Sequence, residues 1–370
     1  SGIWLTDGHV QVSSQNGYYY FDEKHSHFYG NVKLVDSLST LTSDKIDYYD
    51  NDDKSVAVGN VVVQDTASTI LADSLIHFRN DKITYAYKHV RIYDPNNKLA
   101  IFGSELENHD KTKYSRISGS PFLVKIDTTS TGAFDTLMIS SKLMESYDDS
   151  TKRLIATDSV RILRQNFASV NGQTFYFQKK QLLQTFRREN DQSPPVVWNE
   201  NTQLTGDSIF VYMKDNMLDW MDIRSNASII STNKDSVNRF DQISGKKIKL
   251  FFDKEGLART EVEGNVLSIY YLYEDKEPNG LLKSSSERAK IFFKDKEVND
   301  VRLYGKPASE YHPENTIVGK EKDFTIPTFR IFSGRPAKEN LLFARKDVLS
   351  YLIKDSRFYA GKINPPKRKP

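Results

Sequence analysis

The chain has 370 residues, of which 38% are hydrophobic and 12% are aromatic, so its composition supports a large core and is not that of a disordered protein. Its 52 basic and 49 acidic residues give a formal net charge of +3 and are spread along the sequence, which argues against a nucleic-acid partner. The lack of cysteine excludes disulfides, thiolate catalysis and Cys-ligated metals.

The first recurring feature along the chain is a three-residue motif that ends in a small apolar residue. Its first copies are Gly30-Asn31-Val32, Gly59-Asn60-Val61 and Lys88-His89-Val90, which begin 29 residues apart. Looser copies follow at Gly119-Ser120-Pro121, Asp158-Ser159-Val160, Ser225-Asn226-Ala227, Gly264-Asn265-Val266 and Gly305-Lys306-Pro307. A second apolar residue often lies two positions after the first, as Leu34 does after Val32, and this period of two predicts β-strands.

A second element lies between successive copies of the motif. Ser43-Asp44-Lys45-Ile46 is its first copy, and later copies carry Asp73 and Asp207 in the place of Asp44. Its apolar position predicts a ladder of inward-facing side chains at Ile46, Leu75, Leu106, Leu143, Phe175, Ile209, Ile248 and Ala289. Because the aspartate recurs from unit to unit, whereas an active site is normally built once, we expect it to satisfy backbone groups at a strand corner.

Polar turns such as Asp94-Pro95-Asn96-Asn97 separate the predicted strands. A unit of two or three short strands cannot bury its apolar face alone, so neighbouring units must stack. The sequence therefore predicts an all-β fold, an elongated, repeat-built body of two facing sheets over residues 1–310. That body is either continuous or divided into two sub-blocks that meet near residues 180–200. Residues 311–370 form a C-terminal extension with one short amphipathic helix, Lys338 to Lys354, that docks on its own domain.

Catalytic and metal-binding motifs are missing from the sequence. There is no Walker loop, no Gly-x-Ser-x-Gly and no His-Glu-x-x-His, so we expect neither an enzyme nor a cofactor. His25 and His27 lie on one face of a predicted strand, where they are interpreted as surface residues and not as metal ligands. No stretch reaches the roughly 18 apolar residues that a membrane-spanning helix needs.

Together, the two repeated elements resemble the OstA-like superfamily of lipopolysaccharide-transport proteins. That superfamily includes the periplasmic bridge protein, its membrane-anchored partner and the N-terminal domain of the outer-membrane translocon. The best-matching segments are Gly30 to Tyr48 and Gly59 to Phe78, and weaker copies continue to about residue 310. Long late repeats and the C-terminal segment make this chain similar to a longer, divergent member. The resemblance implies a semi-open β-jelly roll, also called a taco, whose apolar groove shields the acyl chains of lipid A.

By this resemblance, the protein is expected to be a non-catalytic periplasmic carrier or bridge for lipopolysaccharide or a related glycolipid, with or without association with the outer membrane. Other OstA-like or Lpt-type proteins are the expected partners, through edge-strand addition. The N-terminal strand around Val10, whose partner strand has Gly17 in place of an apolar rung, is the expected docking edge, and the segment 320–360 is expected to cover or regulate the opposite edge. The residues expected to line the lipid groove are Val32, Val61, Val90, Val160, Val266, Ile46, Leu75, Leu106, Leu143, Phe175, Ile209 and Ile248.

Two other functions are compatible with the repeat. The first alternative is an interaction scaffold whose core is filled by its own side chains and which carries no lipid. The second is a β-helical protein that binds or cleaves polysaccharide, but it requires carboxylates or exposed aromatic residues grouped on one face, and the sequence shows no such group. The degree to which the interior is filled therefore separates a carrier from a scaffold.

Overall fold

The computed structural model describes residues 2–6, 10–37, 39–128, 134–189, 191, 193–215, 217–232, 238–275, 277–295 and 297–352. Within these residues the chain forms 25 strands and three short α-helices. The strands are β1 (Ile3–Thr6), β2 (Gln11–Ser14), β3 (Asn16–Tyr20), β4 (His25–Val35), β5 (Ser39–Tyr49), β6 (Lys54–Asp65), β7 (Thr69–Phe78), β8 (Ile83–Asp94), β9 (Leu99–His109), β10 (Tyr114–Ser118), β11 (Phe122–Thr128), β12 (Phe134–Ser140), β13 (Leu143–Tyr147), β14 (Arg153–Arg164), β15 (Phe167–Phe177), β16 (Leu182–Phe186), β17 (Val196–Asn199), β18 (Thr202–Thr205), β19 (Ser208–Lys214), β20 (Met217–Thr232), β21 (Phe240–Asp253), β22 (Gly256–Glu274), β23 (Glu277–Lys294), β24 (Glu297–Tyr304) and β25 (Ala308–His312). The helices are α1 (Glu314–Ile317), α2 (Lys338–Leu342) and α3 (Lys346–Ser350), and single 3-10 turns lie at Gln178–Lys180 and Glu321–Asp323.

All strand pairs whose register is defined among these residues are antiparallel. Strands β4 to β9 pair consecutively, as do β19 to β24, so each run is a meander of hairpins. The predicted all-β, jelly-roll-like fold class is confirmed. None of the described helices is long and apolar enough to span a membrane.

Two compact units divide the chain. Unit 1 contains the described residues of Ser1–Asp158, Ile162–Gln165 and Ala337–Pro370, and unit 2 contains those of Ser159–Arg161 and Asn166–Pro336. The C-terminal segment therefore belongs to unit 2 up to residue 336 and to unit 1 after it.

Each three-residue motif forms a corner in its strand. At the first corner, Gly30 and Asn31 have φ angles of +83° and +50°, and together they face the single residue Asp44 of the next strand. Two residues opposite one make a β-bulge, which bends the strand. Two successive left-handed residues occur at every copy of the motif: 30 and 31, 59 and 60, 88 and 89, 119 and 120, 158 and 159, 225 and 226, 264 and 265, and 305 and 306. Left-handed backbone is cheapest for glycine and is best tolerated otherwise by Asn and Asp, which explains the residue types that recur there.

The recurring aspartates lie at these corners, but they bind side chains and not the backbone groups that the sequence suggested. The Asn60 Nδ2 donates to Asp44 Oδ2 at 3.0 Å, and the Asn226 Nδ2 donates to Asp207 Oδ2 at the same distance. Backbone groups at the corner are satisfied by the preceding serine instead, since the Ser43 Oγ donates to the carbonyl oxygen of Lys45 at 2.9 Å. The aspartate thus fixes the second left-handed residue of the corner that follows it.

We expect Gly59→Ala to destabilise unit 1 for two separable reasons. The φ of +81° is unfavourable for alanine by about 1–2 kcal/mol, and the added Cβ would meet the Asp44 carboxylate. Equilibrium unfolding in urea measures the total. The same substitution in an Asp44→Gly background, which removes every Asp44 side-chain atom that the added Cβ would meet, measures the backbone strain alone. An equal loss of stability in both backgrounds would contradict the close approach of Asp44 to this corner.

The corner lets both halves of a strand bury side chains in one interior. In unit 1 we call wall 1 the strand segments 25–29, 45–49, 54–58, 74–78, 83–87 and 105–109, and wall 2 the segments 32–35, 39–43, 61–65, 69–72, 90–94 and 99–103. Phe28 of wall 1 and Val32 of wall 2 are both buried, although they belong to the same strand. Directly paired residues form a buried row along wall 1 that continues into β10, β13 and β14: Phe28, Ile46, Ala57, Leu75, Ala86, Leu106, Ile117, Met144 and Ala156.

In unit 2, the C-terminal segment 313–336, which we call the strap, packs on the outer face of β21 to β23. Ile317 and Ile326 are buried there against Ile269, Tyr271 and Leu281. Two glutamine side chains each bind one carbonyl and one amide of the strap backbone: Gln203 binds those of Arg330 and Phe332, and Gln242 those of Phe324 and Ile326. The strap therefore covers a sheet face and not the sheet edge that the sequence suggested.

In unit 1, the single helix predicted for the C-terminal segment is divided into α2 and α3. Arg345 lies between them, and its guanidinium donates both to the carbonyl oxygen of Ser120 at 2.7 Å and to the carboxylate of Asp347 at 2.9 and 3.1 Å. Apolar side chains on both helices pack in one cluster with Tyr93, Phe102 and Phe122. The part of the predicted helix after residue 352 lies outside the described residues.

Candidate functional site

A half-buried apolar stripe runs along the inner face of wall 2 in unit 1. Its members lie two residues from the corner row of Val32, Val61 and Val90, so they point into the same interior. They pair directly across six consecutive strands: Leu34, Leu41, Val63, Ile70, Ile92 and Ile101. None of the six is buried, in contrast to the wall 1 row beside them. With strands about 4.8 Å apart, the stripe is roughly 24 Å long.

The inner face of wall 1 carries a polar row at the corresponding distance from the corner. Its half-buried members also pair across six strands: Ser26, Tyr48, Ser55, His77, Thr84 and Asn108. The His77 Nδ1 lies 3.0 Å from Thr84 Oγ1, and the Ser115 Oγ donates to Asn108 Oδ1 at 2.5 Å. Burial lowers the pKa of His77, so its imidazole is neutral at pH 7. The interior of unit 1 thus has an accessible apolar stripe on wall 2 and a row of polar, uncharged side chains on wall 1. We call this interior the trough.

The interior of unit 2 is filled by its own side chains. Two residues along the strand from Ile209 and Ile248, on the same inner face, lies a second row of directly paired side chains. It consists of buried residues in five neighbouring strands of the sheet: Leu183, Val211, Met221, Leu250 and Thr260. On the other inner face, Ile229 and Ile243 pair directly and are both 8% exposed. The second row becomes accessible only at its end, at Ile291 and Val301, whereas the stripe of unit 1 is partly covered on all six of its strands.

Most residues predicted to line the groove lie at its base and are fully covered by protein. Exposures of 0–3% are found for Ile46, Leu75 and Leu106 in the wall 1 row of unit 1, for Ile209 and Ile248 in the inner row of unit 2, and for Val32, Val61, Val90, Val160 and Val266 at the corners. Their contact with a lipid stays a prediction. The stripe that remains accessible was not singled out from the sequence, although the apolar residue two positions after each motif was the signal for it.

Two predicted ladder residues, Leu143 and Phe175, lie one position away from the buried row. The row residue follows the first residue of the second element by three positions, as Ile46 follows Ser43. Met144 and Thr174, which follow Ser141 and Asn171 by three positions, therefore occupy it. Leu143 is half-buried and pairs with Ser118 and Thr157. Phe175 is half-buried and its ring stacks with that of Phe177.

A polar step consequently interrupts the row in unit 2. Thr174 and Thr185 face each other and are 1% and 0% exposed. The Thr174 Oγ1 donates to Asn171 Oδ1 at 2.8 Å, which satisfies the buried hydroxyl.

His25 and His27 lie on the outer face of wall 1, away from the trough. Both rings contact the same carboxylate oxygen, Asp47 Oδ1, at 2.8 and 2.7 Å, and His25 also stacks on Tyr49. In the part of the chain that the structure describes, no three His, Cys, Asp or Glu side chains are arranged to hold a metal ion. The pair is explained by its shared carboxylate.

Comparisons with known proteins add a weak structural likeness. No protein-family model matches the sequence. No curated protein matches it either. Among solved structures, the chain is similar to LptH, described as the LptA homologous periplasmic component of the conserved lipopolysaccharide transport device from Pseudomonas aeruginosa. The match has a TM-score of 0.24 and 10% sequence identity, and it covers 42% of this chain and 85% of LptH. At that TM-score the likeness carries no argument, so function has to be argued from the trough.

Proposed function

We propose that this protein is a non-catalytic periplasmic carrier or bridge that shields the acyl chains of lipopolysaccharide or a related glycolipid during transport to the outer membrane. The single observation that carries the proposal is the trough of unit 1, in which a partly accessible apolar stripe faces a polar, uncharged wall. A contiguous apolar surface that a protein leaves accessible typically marks a binding site. Acyl chains would contact the stripe, and hydroxyl or amide groups of the ligand would contact the polar wall.

The energetics of the stripe suit transport better than storage. Burying one CH₂ group contributes about 0.8 kcal/mol, so partial cover of one acyl chain by six strands holds it usefully without fixing it. The stripe repeats Leu, Val and Ile at equivalent positions, which means that a ligand shifted by one strand meets nearly the same surface. Movement along such a surface needs no catalytic residue.

The principal test compares two adjacent valines of β6 that point to opposite faces. Val63 belongs to the stripe, whereas Val62 pairs with Thr42 and Leu71 on the outer face, and both are half-buried. We expect Val63→Glu to weaken binding of fluorescent lipid A at least tenfold, because a carboxylate in the stripe must lose water to admit an acyl chain. Val62→Glu is the matched control and should bind normally. Equal binding by both variants, each checked for normal unfolding, would remove the trough as the lipid site.

The filled interior of unit 2 favours a second candidate function, an interaction scaffold without lipid cargo. From β16 to β22 its inner row is buried, and only the end of that row, at Ile291 and Val301, is accessible among the residues described there. Wild-type protein that takes up no lipid A, but still binds other proteins, would support this alternative for the whole chain.

Docking to other Lpt-type proteins is proposed to occur through exposed strands at the ends of the meanders. In unit 1, β3 pairs with β4 alone among the described pairs, and Trp4, Tyr18 and Phe21 nearby are 64%, 57% and 82% exposed. In unit 2, β24 pairs with β23 alone within the described pairs, and its Val301 is 51% exposed. Unpaired edges of this kind accept an added strand.

Photo-crosslinkers at Tyr18 of β3 and at Val301 of β24 test the docking in cells. Val10 is not a suitable position, because β2, the strand that follows it, pairs with both β1 and β4 and is not the edge that the sequence suggested. We expect protein crosslinks from at least one of the two positions and lipid crosslinks from Ile92 in the stripe. Lipid crosslinks from Ile92 together with no protein crosslinks from either edge position would leave a carrier that does not form a bridge.

A further inference from the structure

A second cavity, separate from the trough, lies in unit 1 where two corners meet helix α3. Its volume is about 380 Å³, which is within the usual size range of small-ligand sites. The residues that line it are Lys88, His89, Val90, Arg91, Gly103, Ser104, Gly119, Ser120, Arg345 and Asp347. Five of these can donate hydrogen bonds from cationic or hydroxyl side chains: Lys88, Arg91, Ser104, Ser120 and Arg345.

The corners fix the donors on one side of this cavity. Lys88 and His89 have φ angles of +61° and +46°, and they form the only one of the eight corners in which both left-handed residues are basic. The His89 Nδ1 is held by Asp73 Oδ2 at 2.9 Å, so the orientation of this corner does not depend on a ligand. Arg91 follows in β8, where it pairs with Leu71 and Phe102.

The other side of the cavity is built by α3 and the next corner. The Arg345 Nη1 donates to the carbonyl oxygen of Ser120 at 2.7 Å, while its Nε and Nη2 are occupied by Asp347. The guanidinium also lies over the ring of Phe122, with 5.3 Å to the centroid. Arg345 and Asp347 therefore neutralise each other and hold the wall in place.

The two remaining cations are not neutralised. Neither Lys88 nor Arg91 has an ion pair or a side-chain hydrogen bond with any residue that the structure describes. A lysine at another corner behaves differently, since the Lys142 Nζ is paired with Asp158 Oδ2 at 2.9 Å. The lining of the cavity thus includes two cations that have no ion-pair partner among the described residues, together with the Ser120 hydroxyl, while the Asp73 carboxylate lies outside the lining on His89.

We infer that this cavity binds a phosphate group, either as a free anion or as the phosphorylated headgroup of a lipid. Arginine offers parallel N–H donors that match phosphate oxygens, lysine adds a point charge, and the Ser120 hydroxyl supplies a neutral donor. The Ser104 Oγ donates to the carbonyl oxygen of Gly119 at 3.3 Å and so holds the next corner in place. The inference is independent of the proposed acyl-chain site, because the cavity lies at the corners and on α3, and none of its lining residues belongs to the apolar stripe.

Titration of the full chain with inorganic phosphate at low ionic strength, followed by calorimetry, is the first test. We expect saturable binding with one site per chain, weakened roughly tenfold by Lys88→Gln and by Arg91→Gln, since each removes a charge-assisted hydrogen bond. Lys111→Gln, which changes an exposed turn lysine of the same unit, is the matched control and should bind phosphate normally. Lys88→Gln is the safer variant for folding, because its side chain is exposed.

A second arm identifies the source of the phosphate. Short-chain phosphatidic acid below its micellar concentration is compared with inorganic phosphate and with the diacylglycerol that lacks the phosphate. Tighter binding of phosphatidic acid, lost in Lys88→Gln, supports a lipid headgroup, and equal binding of the two phosphates supports a free anion. The inference is overturned if neither phosphate binds saturably up to about 10 mM, or if both pocket variants bind like wild type. Val63→Glu should leave inorganic phosphate binding unchanged, so failure of the trough and failure of this cavity are distinguishable.

Discussion

Ile209→Asp is expected to destabilise unit 2 by about 3–5 kcal/mol, because it places an uncompensated charge in a fully covered position. Ile209 is 0% exposed, and its direct cross-strand neighbours, Thr185 and Ile223, supply no positive charge. A small domain is stable by only about 5–15 kcal/mol, so this single change removes a large part of the total. Tryptophan fluorescence during urea unfolding reports on unit 2, because Trp198 is buried there and Trp220 stacks on Tyr212.

Two control variants separate the effect of charge from the effect of lost volume. Ile209→Val removes one methylene group at the same site and should destabilise the unit by about 0.5–1.5 kcal/mol. Asp52→Lys alters an exposed turn and should remain within about 0.5 kcal/mol of wild type. Leu75→Asp is the equivalent change in unit 1, where Leu75 is 2% exposed. Wild-type unfolding of Ile209→Asp would show that this row faces solvent.

The corners could be predicted from the sequence because their backbone geometry restricts residue type. A pair of left-handed residues is tolerated by few side chains, so Gly, Asn, Asp and Ser accumulate at fixed positions and become visible as a repeat. The exception, Lys88-His89, was recognised only through its spacing of 29 residues, and it nevertheless adopts the same geometry. Backbone conformation is therefore the part of this fold that the sequence records most directly.

The buried row was harder to predict because apolar character alone does not define the register. Leu143 and Phe175 are more apolar than their neighbours, yet the constant offset from the corner places Met144 and Thr174 in the row. A pair of threonines inside a core gives no hydrophobic signal in the sequence. The burial of Thr174 depends on Asn171, whose Oδ1 accepts a hydrogen bond from the Thr174 hydroxyl.

The sequence also does not show how far each inward-facing side chain is covered by the opposite wall. Alternation shows which face a side chain is on, but not whether the opposite wall covers it. Val63 and Val211 are both apolar strand residues of an inner face, and only Val211 is buried, at 4% exposure. The difference between an accessible trough and a filled core arises from packing between walls, which a local pattern does not contain.

Arg239→Ala is expected to release the strap of unit 2 at its N-terminal end, with a loss of about 3 kcal/mol at pH 7. The Arg239 guanidinium is 7% exposed, and its two terminal nitrogens donate to both carboxylate oxygens of Glu314 at 2.5 and 3.1 Å. The same carboxylate accepts the Gly280 amide at 3.1 Å, and Glu321 lies 3.9 Å from the guanidinium. Removing the cation leaves two carboxylates of the strap without their counter-charge.

The pH dependence of this loss identifies its cause. The hydrogen bonds from Arg239 hold the pKa of Glu314 below its usual value of 4.5. A depressed carboxyl pKa contributes stability that is fully present above the unfolded pKa and is lost as pH falls through the folded pKa. The difference in unfolding free energy between wild type and Arg239→Ala should therefore be constant from pH 7 to about 5 and shrink below pH 4.5. Glu314→Gln should lose most of this pH dependence while keeping the strap sequence otherwise intact. A difference that stays constant down to pH 3 would assign the loss to the packing of Arg239 against Tyr271, whose ring lies 5.3 Å from the guanidinium, and not to the ion pair.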